Sequence, residues 1–303
     1  TLFGDGLGAA LSDGGIYLLM RFDLAVPASL KEAVGLLDAD DPTVRPLGGG
    51  TALMLMMKSG LFAPRTLVSL QRVEDDCRRI SASDDGELTV GALSPLRALE
   101  QSPDVPAVVR KTMKTLSNVR VRNVATIGGS LAHGDPHMDL PPVMIALGAS
   151  VTVMGPDGER VVALGDLYEG YYETSLAANE LIVSLTVPLQ NSIRAAYQKV
   201  TTRAADDWPA LGVAVALTGE GDAIGNATVV VSAATEKPIR LAGAESALSG
   251  ANLSDDVLRR AGDAAADEAE LITDPQGSAA YKRELLRVTV GRAVRAALDG
   301  EAG

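Results

Sequence analysis

Two glycine clusters limit this chain most. The first is Val44-Arg-Pro-Leu-Gly-Gly-Gly-Thr-Ala-Leu-Met-Leu-Met-Met-Lys58, an extended run that meets Gly48, Gly49, Gly50 and Thr51 before an apolar helical start. The second is Asn118-Val-Arg-Val-Arg-Asn-Val-Ala-Thr-Ile-Gly-Gly-Ser-Leu-Ala-His-Gly-Asp-Pro-His-Met-Asp-Leu-Pro-Pro142, which crowds Thr126, Gly128, Gly129 and Ser130 with two histidines and two aspartates. Without a Cβ, such backbone can turn tightly and come close to a ligand. Free N–H groups in a turn, or at the start of a helix, form a concavity for an anion. The first cluster has the spacing of neither a Rossmann fingerprint nor a P-loop.

The charge balance narrows the partners. A net charge of −12 over 303 residues argues against nucleic acid, which needs a Lys/Arg footprint, and against an anionic membrane surface. A ligand bearing phosphates would therefore depend on local dipoles working against the field of the whole chain. Cys77 is the only cysteine, so the chain forms no internal disulfide and holds no iron–sulfur cluster by itself. No run approaches the roughly 18 apolar residues of a membrane span. Residues 1–19 are too rich in glycine for a helix and read as an N-terminal extension outside the core fold.

Periodicity supplies the elements. Ser29 and Glu32 form a capping box ahead of Leu30, Ala33, Val34 and Leu37, predicting a short helix. Residues 65–70 read as a buried strand, and residues 78–83 and 87–92 as a hairpin around Asp84-Asp-Gly86. Ser94 is expected to cap a helix with Pro95 at its first position, and residues 105–116 form another. A short buried helix over 142–148 and a hairpin over 151–163 follow, then a helix or turn over 166–172 and a strand over 181–187. Pro188 and Gln190-Asn-Ser192 mark the expected boundary between a domain over 20–190 and one over 191–303. The second is expected to hold three antiparallel strands (195–200, 210–218, 227–233) and helices over 242–248, 255–270 and 278–299. Helices on one side of a small sheet make an α+β arrangement.

Both glycine clusters, taken in order, carry a resemblance. Leu47-Gly-Gly-Gly-Thr51 and Val121-Arg-Asn-Val-Ala-Thr-Ile-Gly-Gly-Ser-Leu-Ala-His-Gly-Asp-Pro136, with Asp139-Leu-Pro-Pro142, resemble the FAD-binding medium subunit of molybdenum hydroxylases. That family includes aerobic carbon monoxide dehydrogenase, nicotine dehydrogenase and the flavin segment of xanthine dehydrogenase. The resemblance continues through Glu180–Pro188, Ala196–Arg203 and Ser278–Arg283, covering roughly residues 20–300. It implies a two-lobed FAD-binding domain of the vanillyl-alcohol-oxidase (PCMH) type and a smaller C-terminal α+β domain.

It also implies an oxidoreductase subunit without a general acid or base of its own. By position, Leu47, Gly48, Gly49, Gly50, Thr51, Ala52 and Leu53 would wrap the FAD pyrophosphate. Thr126, Gly128, Gly129, Ser130 and His133 would form the second loop, with Asp139 as its acidic partner. Leu181 and Ile182 would lie at the isoalloxazine edge, with Tyr197 stacking and Lys199 lending charge near the ring. Ser130 stands where most relatives carry Asn, and keeps one hydroxyl but loses the amide. A large partner would hold a molybdenum cofactor and a small one two [2Fe–2S] clusters, the whole assembling as a dimer of heterotrimers. Electrons would leave FAD to an external acceptor. The expected location is cytoplasmic, or the inner membrane face reached through partners. A stand-alone FAD-dependent oxidoreductase and a flavin-free assembly subunit of the same fold are the competing readings.

Other readings of the same residues are weaker. His133, Asp135, His137 and Asp139 alternate as metal ligands could, but Gly134 and Pro136 interrupt a regular strand. No Gly-x-Ser-x-Gly elbow surrounds Ser130. Met54, Met56 and Met57 read as core filling, Cys77 as a structural thiol, and Trp208 as packing between strand and loop. Gly49→Val is expected to block the ligand's approach while leaving the fold largely intact.

Overall fold

The computed structural model describes residues 20–189 and 192–299. The expected extension at 1–19, and Gln190 and Asn191 of the expected boundary, lie outside the described residues.

The first lobe is a three-stranded parallel sheet. It holds β1 (Asp23–Ala25), β2 (Val44–Leu47) and β3 (Thr66–Ser69) in the order β1-β3-β2. Two helices make the crossovers, α1 (Leu30–Leu36) and α2 (Thr51–Lys58). Ser29 caps α1 as expected, its Oγ accepting from Glu32 N at 3.1 Å, but the Glu32 carboxylate reaches one residue further back and accepts from Ala28 N at 2.7 Å. A small core of Ala33, Val34, Leu37, Val44 and Val68 seals α1 to the sheet and reaches Cys77 and Leu181. On α2 only Met57 is buried, and Leu55 is exposed, so this apolar helix is less of a core element than its composition predicts.

The second lobe is a five-stranded antiparallel sheet in the order β4-β5-β10-β6-β7. Its outer strands form the two expected hairpins, β4 (Ile80–Ala82) with β5 (Glu87–Gly91), and β6 (Ser150–Gly155) with β7 (Gly158–Ala163). Between β5 and β6 in sequence run α3 (Leu96–Gln101), α4 (Ala107–Thr115), α5 (Val119–Val124), α6 (Ile127–Ala132) and α7 (Leu140–Ala146). Residues 166–172 end a 3-10 turn and enter a strand, β8 (Tyr168–Gly170), paired with β9 (Glu173–Thr174), so no helix forms there. The late strand β10 (Leu181–Pro188) enters the middle of the sheet, with a bulge between Ile182 and Ser184.

The segment Gly91–Leu96 ties these parts together by its backbone. Gly91 N and Leu93 N donate to Arg79 O and Cys77 O, and Ala92 N to Val183 O in the bulge. Ala92 O accepts Gly128 N, Ser94 O accepts Ile127 N, and Leu96 N donates to Ala125 O. Ser94 is therefore not the predicted cap of α3. That position falls to Pro95, and the buried Ser94 hydroxyl has no protein partner.

The C-terminal domain has a four-stranded antiparallel sheet, β11 (Arg194–Thr201), β12 (Pro209–Leu217), β13 (Ala227–Ser232) and β14 (Ile239–Arg240). Helices α8 (Ala242–Leu248), α9 (Asp255–Glu268) and α10 (Ala279–Leu298) cover one face. The other face is not open. Ala214, Ala216 and Val230 belong to the same core as Val143 and Met144 of α7, so all nine residues of β12 are buried. The expectation of helices on one side holds within this domain. The N-terminal domain, through α7, supplies the second cover.

Candidate cofactor site

The first glycine cluster follows directly from β2. Gly50 sits at φ +70°, a left-handed conformation that favours glycine, and caps α2 without any side-chain bond. The first amides of α2 have no partner inside the helix, and the helix dipole makes this end attractive to an anion.

The second cluster is not the turn that its glycines suggest. Gly128 and Gly129 lie inside α6, a helix of 6 residues capped by Thr126, whose Oγ1 accepts from Gly129 N at 3.2 Å. The amides of Ile127, Gly128 and Ser130 donate to Ser94 O, Ala92 O and Thr126 O. None of these groups is free to form an anion-binding concavity, so that expectation applies to the first cluster. Gly128 is needed for packing, since a Cβ there would stand 2.7 Å from Ala92 Cβ. Gly129 is the exposed member of the pair.

Across the cleft the two clusters touch. A Cβ on Gly48 would lie 2.9 Å from Thr126 Oγ1, and one on Gly49 would lie 2.0 Å from Val124 O. The second distance corrects the expected effect of Gly49→Val: the residue is a backbone crossing between lobes, and a side chain there displaces the fold itself. A cavity of about 270 Å³ opens beside this crossing, lined among others by Gly48, Gly49, Arg78, Asn123 and Thr126. Among the described residues no carboxylate lines it, although the chain carries −12 overall, and Arg78 is the one charged residue there. The Arg78 guanidinium also donates to Leu70 O, Gln71 O and Val73 O, which pins the wall. The glycine backbone and the lining suit a pyrophosphate, and the uncapped start of α2 follows two residues after Gly49. The volume is below that of most small-molecule pockets, so only part of a dinucleotide would sit inside it.

The remaining predicted residues occupy two places. Leu181 and Ile182 begin β10 next to the bulge, both buried. Asp139, Tyr197 and Lys199 form one cluster, with Asp139 accepting from Tyr197 Oη at 2.6 Å and from Lys199 Nζ at 2.8 Å. Lys199 Nζ also donates to Thr115 O. Gly212 makes room for the Tyr197 hydroxyl, since a Cβ there would stand 2.5 Å from it. Burial pushes the Asp139 carboxyl upward, and the Lys199 ammonium opposes that shift. Tyr197 and Lys199 were expected as separate groups beside a ring; here Asp139 gathers both. Ser130 is buried with its hydroxyl toward Met138 Sδ, and His133 lies edge-on to Tyr172 at 5.1 Å. Burial lowers the His133 pKa, favouring the neutral ring.

The sequence did not reveal the partners of the loop between α6 and α7. His137 lies between Asp135 and Asp274, with Nδ1 3.0 Å from Asp135 Oδ1 and Nε2 3.2 Å from Asp274 Oδ2. Asp274 also pairs with the fully buried Lys282, and Trp208 stacks on the His137 ring at 5.1 Å. Asp135 and His137 are taken up by this pairing. Among the described residues, no group of three or more His, Cys, Asp or Glu converges as a metal site.

This fold and cleft define a class, and comparison with known proteins assigns it. The chain belongs to the FAD-binding family of molybdopterin dehydrogenases: the profile described as the FAD binding domain in molybdopterin dehydrogenase matches residues 20–190. The CO dehydrogenase flavoprotein C-terminal domain matches residues 195–297. Among individual relatives, the carbon monoxide dehydrogenase medium chain of Afipia carboxidovorans is 32% identical, over 91% of this chain and 96% of the relative. The nicotine 6-hydroxylase medium subunit of Paenarthrobacter nicotinovorans is 30% identical, over 89% of this chain and 95% of the relative. Among solved structures, carbon monoxide dehydrogenase from Hydrogenophaga pseudoflava superposes with a TM-score of 0.88 at 32% identity, covering 92% of this chain and 98% of that one. Quinoline 2-oxidoreductase from Pseudomonas putida 86 gives 0.87 at 28% identity, with 94% and 100% covered. No helix among the described residues is long and apolar enough to cross a membrane.

Proposed function

We propose that this chain is the FAD-carrying medium subunit of a molybdenum hydroxylase. It would take electrons from [2Fe–2S] clusters on a small partner and deliver them to an external acceptor, while a large partner binds molybdenum cofactor and substrate. The observation that carries the reading is the glycine cleft between the lobes, which no carboxylate lines among the described residues, in a chain with a large negative charge. When bound, FAD supplies reversible redox capacity, and the protein's part is to bind, orient and tune it.

In this reading the Gly50 amide and the first amides of α2, Thr51 to Leu53, hold the pyrophosphate, with Gly48 and Gly49 leaving room for it. Thr126 lines the same cleft from the second lobe, and the exposed Gly129 permits close approach to the start of α6. Leu181 and Ile182 supply an apolar edge for the flavin ring, placed by the bulge of β10. Lys199 acts through its pairing with Asp139, which Tyr197 also holds in place. Because Ser130 faces Met138, its exchange for the usual Asn does not remove a group aimed at the cleft. Assembly as a dimer of heterotrimers belongs to the same proposal, as does a cytoplasmic site with membrane contact made through partners.

The test is to purify the chain from its native host with whatever accompanies it. The expected result is a yellow complex of three chain types with flavin absorbance that dithionite bleaches. A colourless chain that takes up no added FAD would leave the flavin-free scaffold in its place. A yellow chain active without partners would establish the stand-alone oxidoreductase.

A further inference from the structure

The loop joining α6 to α7 is held from the C-terminal domain by a buried ionic chain. His137 is 6% exposed and has a carboxylate oxygen at each ring nitrogen. An ionised carboxylate only accepts hydrogen bonds, so both contacts are satisfied only when both nitrogens carry hydrogen. This geometry favours the imidazolium form of the ring. Asp135 also accepts from His137 N at 2.9 Å, and Asp274 is shared with the Lys282 ammonium, whose Nζ donates to Ala233 O. Ala233 N in turn donates to Pro136 O at 2.9 Å, and Ala233 holds φ +64°, a conformation unusual for alanine. Two cations thus face two anions across the domain junction, with Trp208 stacked on one side.

The other ionisable groups here are few. His133 and Asp135 lie on the same loop. Tyr171 and Tyr172 approach from the turn between β8 and β9, Tyr172 with its hydroxyl toward Asp135. Asp274 and Lys282 come from the C-terminal domain. Loss of the His137 proton would set a nitrogen lone pair against a carboxylate oxygen. It would also leave the buried Asp135 and the half-buried Asp274 against one cation, an arrangement a protein interior tolerates poorly.

We infer that His137 is a positioning residue: as an imidazolium it ties the loop after α6, the helix whose cap Thr126 lines the cleft, to the C-terminal domain, and FAD affinity falls when it loses its proton. This rests on the FAD reading above. The direction is set by the folded protein. Asp135 and Asp274 raise the His137 pKa above 6.5 despite burial. A raised folded value means that the contribution is complete below 6.5 and is lost as pH climbs through the folded value. The apparent affinity declines as the His137 proton is lost and levels off at the value of the neutral ring.

The experiment uses the full chain labelled with ¹³C-histidine. Two ring signals are expected from two histidines, and the one missing from His137→Gln identifies His137. The expected result is that His137 titrates above the ordinary histidine value and that FAD affinity declines with it. His137→Gln should bind FAD more weakly with a flat pH profile. Asp274→Asn should lower the His137 titration point and move the FAD profile to lower pH by the same interval. A His137→Gln protein that keeps the wild-type pH slope would overturn the inference. So would an Asp274→Asn protein in which the titration moves and the FAD profile does not. If no FAD binds at any pH, the proposed function fails, and protection of the Ala233 amide decides the tie. Relative to His137→Gln at the same pH, that protection should fall as His137 titrates, and constant protection would refute the inference.

Discussion

Gly49 shows how a residue that reads as ligand-facing can belong to the framework. Its missing Cβ lets the entry to α2 pass within contact distance of Val124 O. Gly49→Ala should therefore cost about 1–3 kcal/mol of stability, the usual range for overpacking, before any effect on FAD is measured. A urea titration of the flavin-free protein checks this, since an unchanged midpoint would mean that the crossing is loose. Glycine marks a close approach, but the letter does not name what approaches. For Gly48 the neighbour is the Thr126 hydroxyl at the cleft, for Gly128 it is Ala92, and for Gly212 it is the Tyr197 hydroxyl. His137 was legible as a residue of interest, and its carboxylate partner was not: Asp274 is 137 positions away with no local pattern around it.

At the scale of elements, the helices and hairpins were readable wherever periodicity and caps agreed. Ser29 caps α1 through Glu32 N, as its spacing implies, and Ser254 and Ser278 cap α9 and α10 in the same way, one residue ahead of each helix. Two places resisted. Around Thr126, helices of 6 residues are too short to show a period, so α5 and α6 read as one loop. Around Ser94, local capping lost to tertiary bonding, because the backbone of 91–96 was already committed to three neighbours. The contact between α9 and α10 depends on a feature of this kind. A Cβ on Gly262 would stand 2.1 Å from Arg287 O, so the helices cross backbone to backbone. Gly262→Ala should force them apart at a cost of about 1–3 kcal/mol. Differential scanning calorimetry would register this as a lower melting temperature, and a variant as stable as the parent would show that the crossing can yield.

At the scale of the whole molecule, the sequence shows two domains and conceals how they depend on each other. The alternate residues of β12 serve two cores, Leu211, Val213 and Val215 facing the helices of their own domain and Ala214 and Ala216 facing α7. A strand buried on both faces reads as a plain apolar run, which says nothing about what covers it. Residues 20–190 produced alone should accordingly expose α7 and lose cooperative unfolding. Dye binding and size-exclusion chromatography would detect this, and a monomeric fragment with a sharp unfolding transition would refute it.

The place of β10 has a consequence in time. It is the last strand of its sheet to be synthesised, yet it lies between β5 and β6. Until residue 188 has left the ribosome, β5 and β6 each keep an open edge, and the Ala92 amide has no Val183 carbonyl to meet. Bare strand edges invite pairing with other chains. The nascent subunit therefore passes through an interval in which its central seam is vacant, and that interval closes with the arrival of the same strand that carries Leu181 and Ile182.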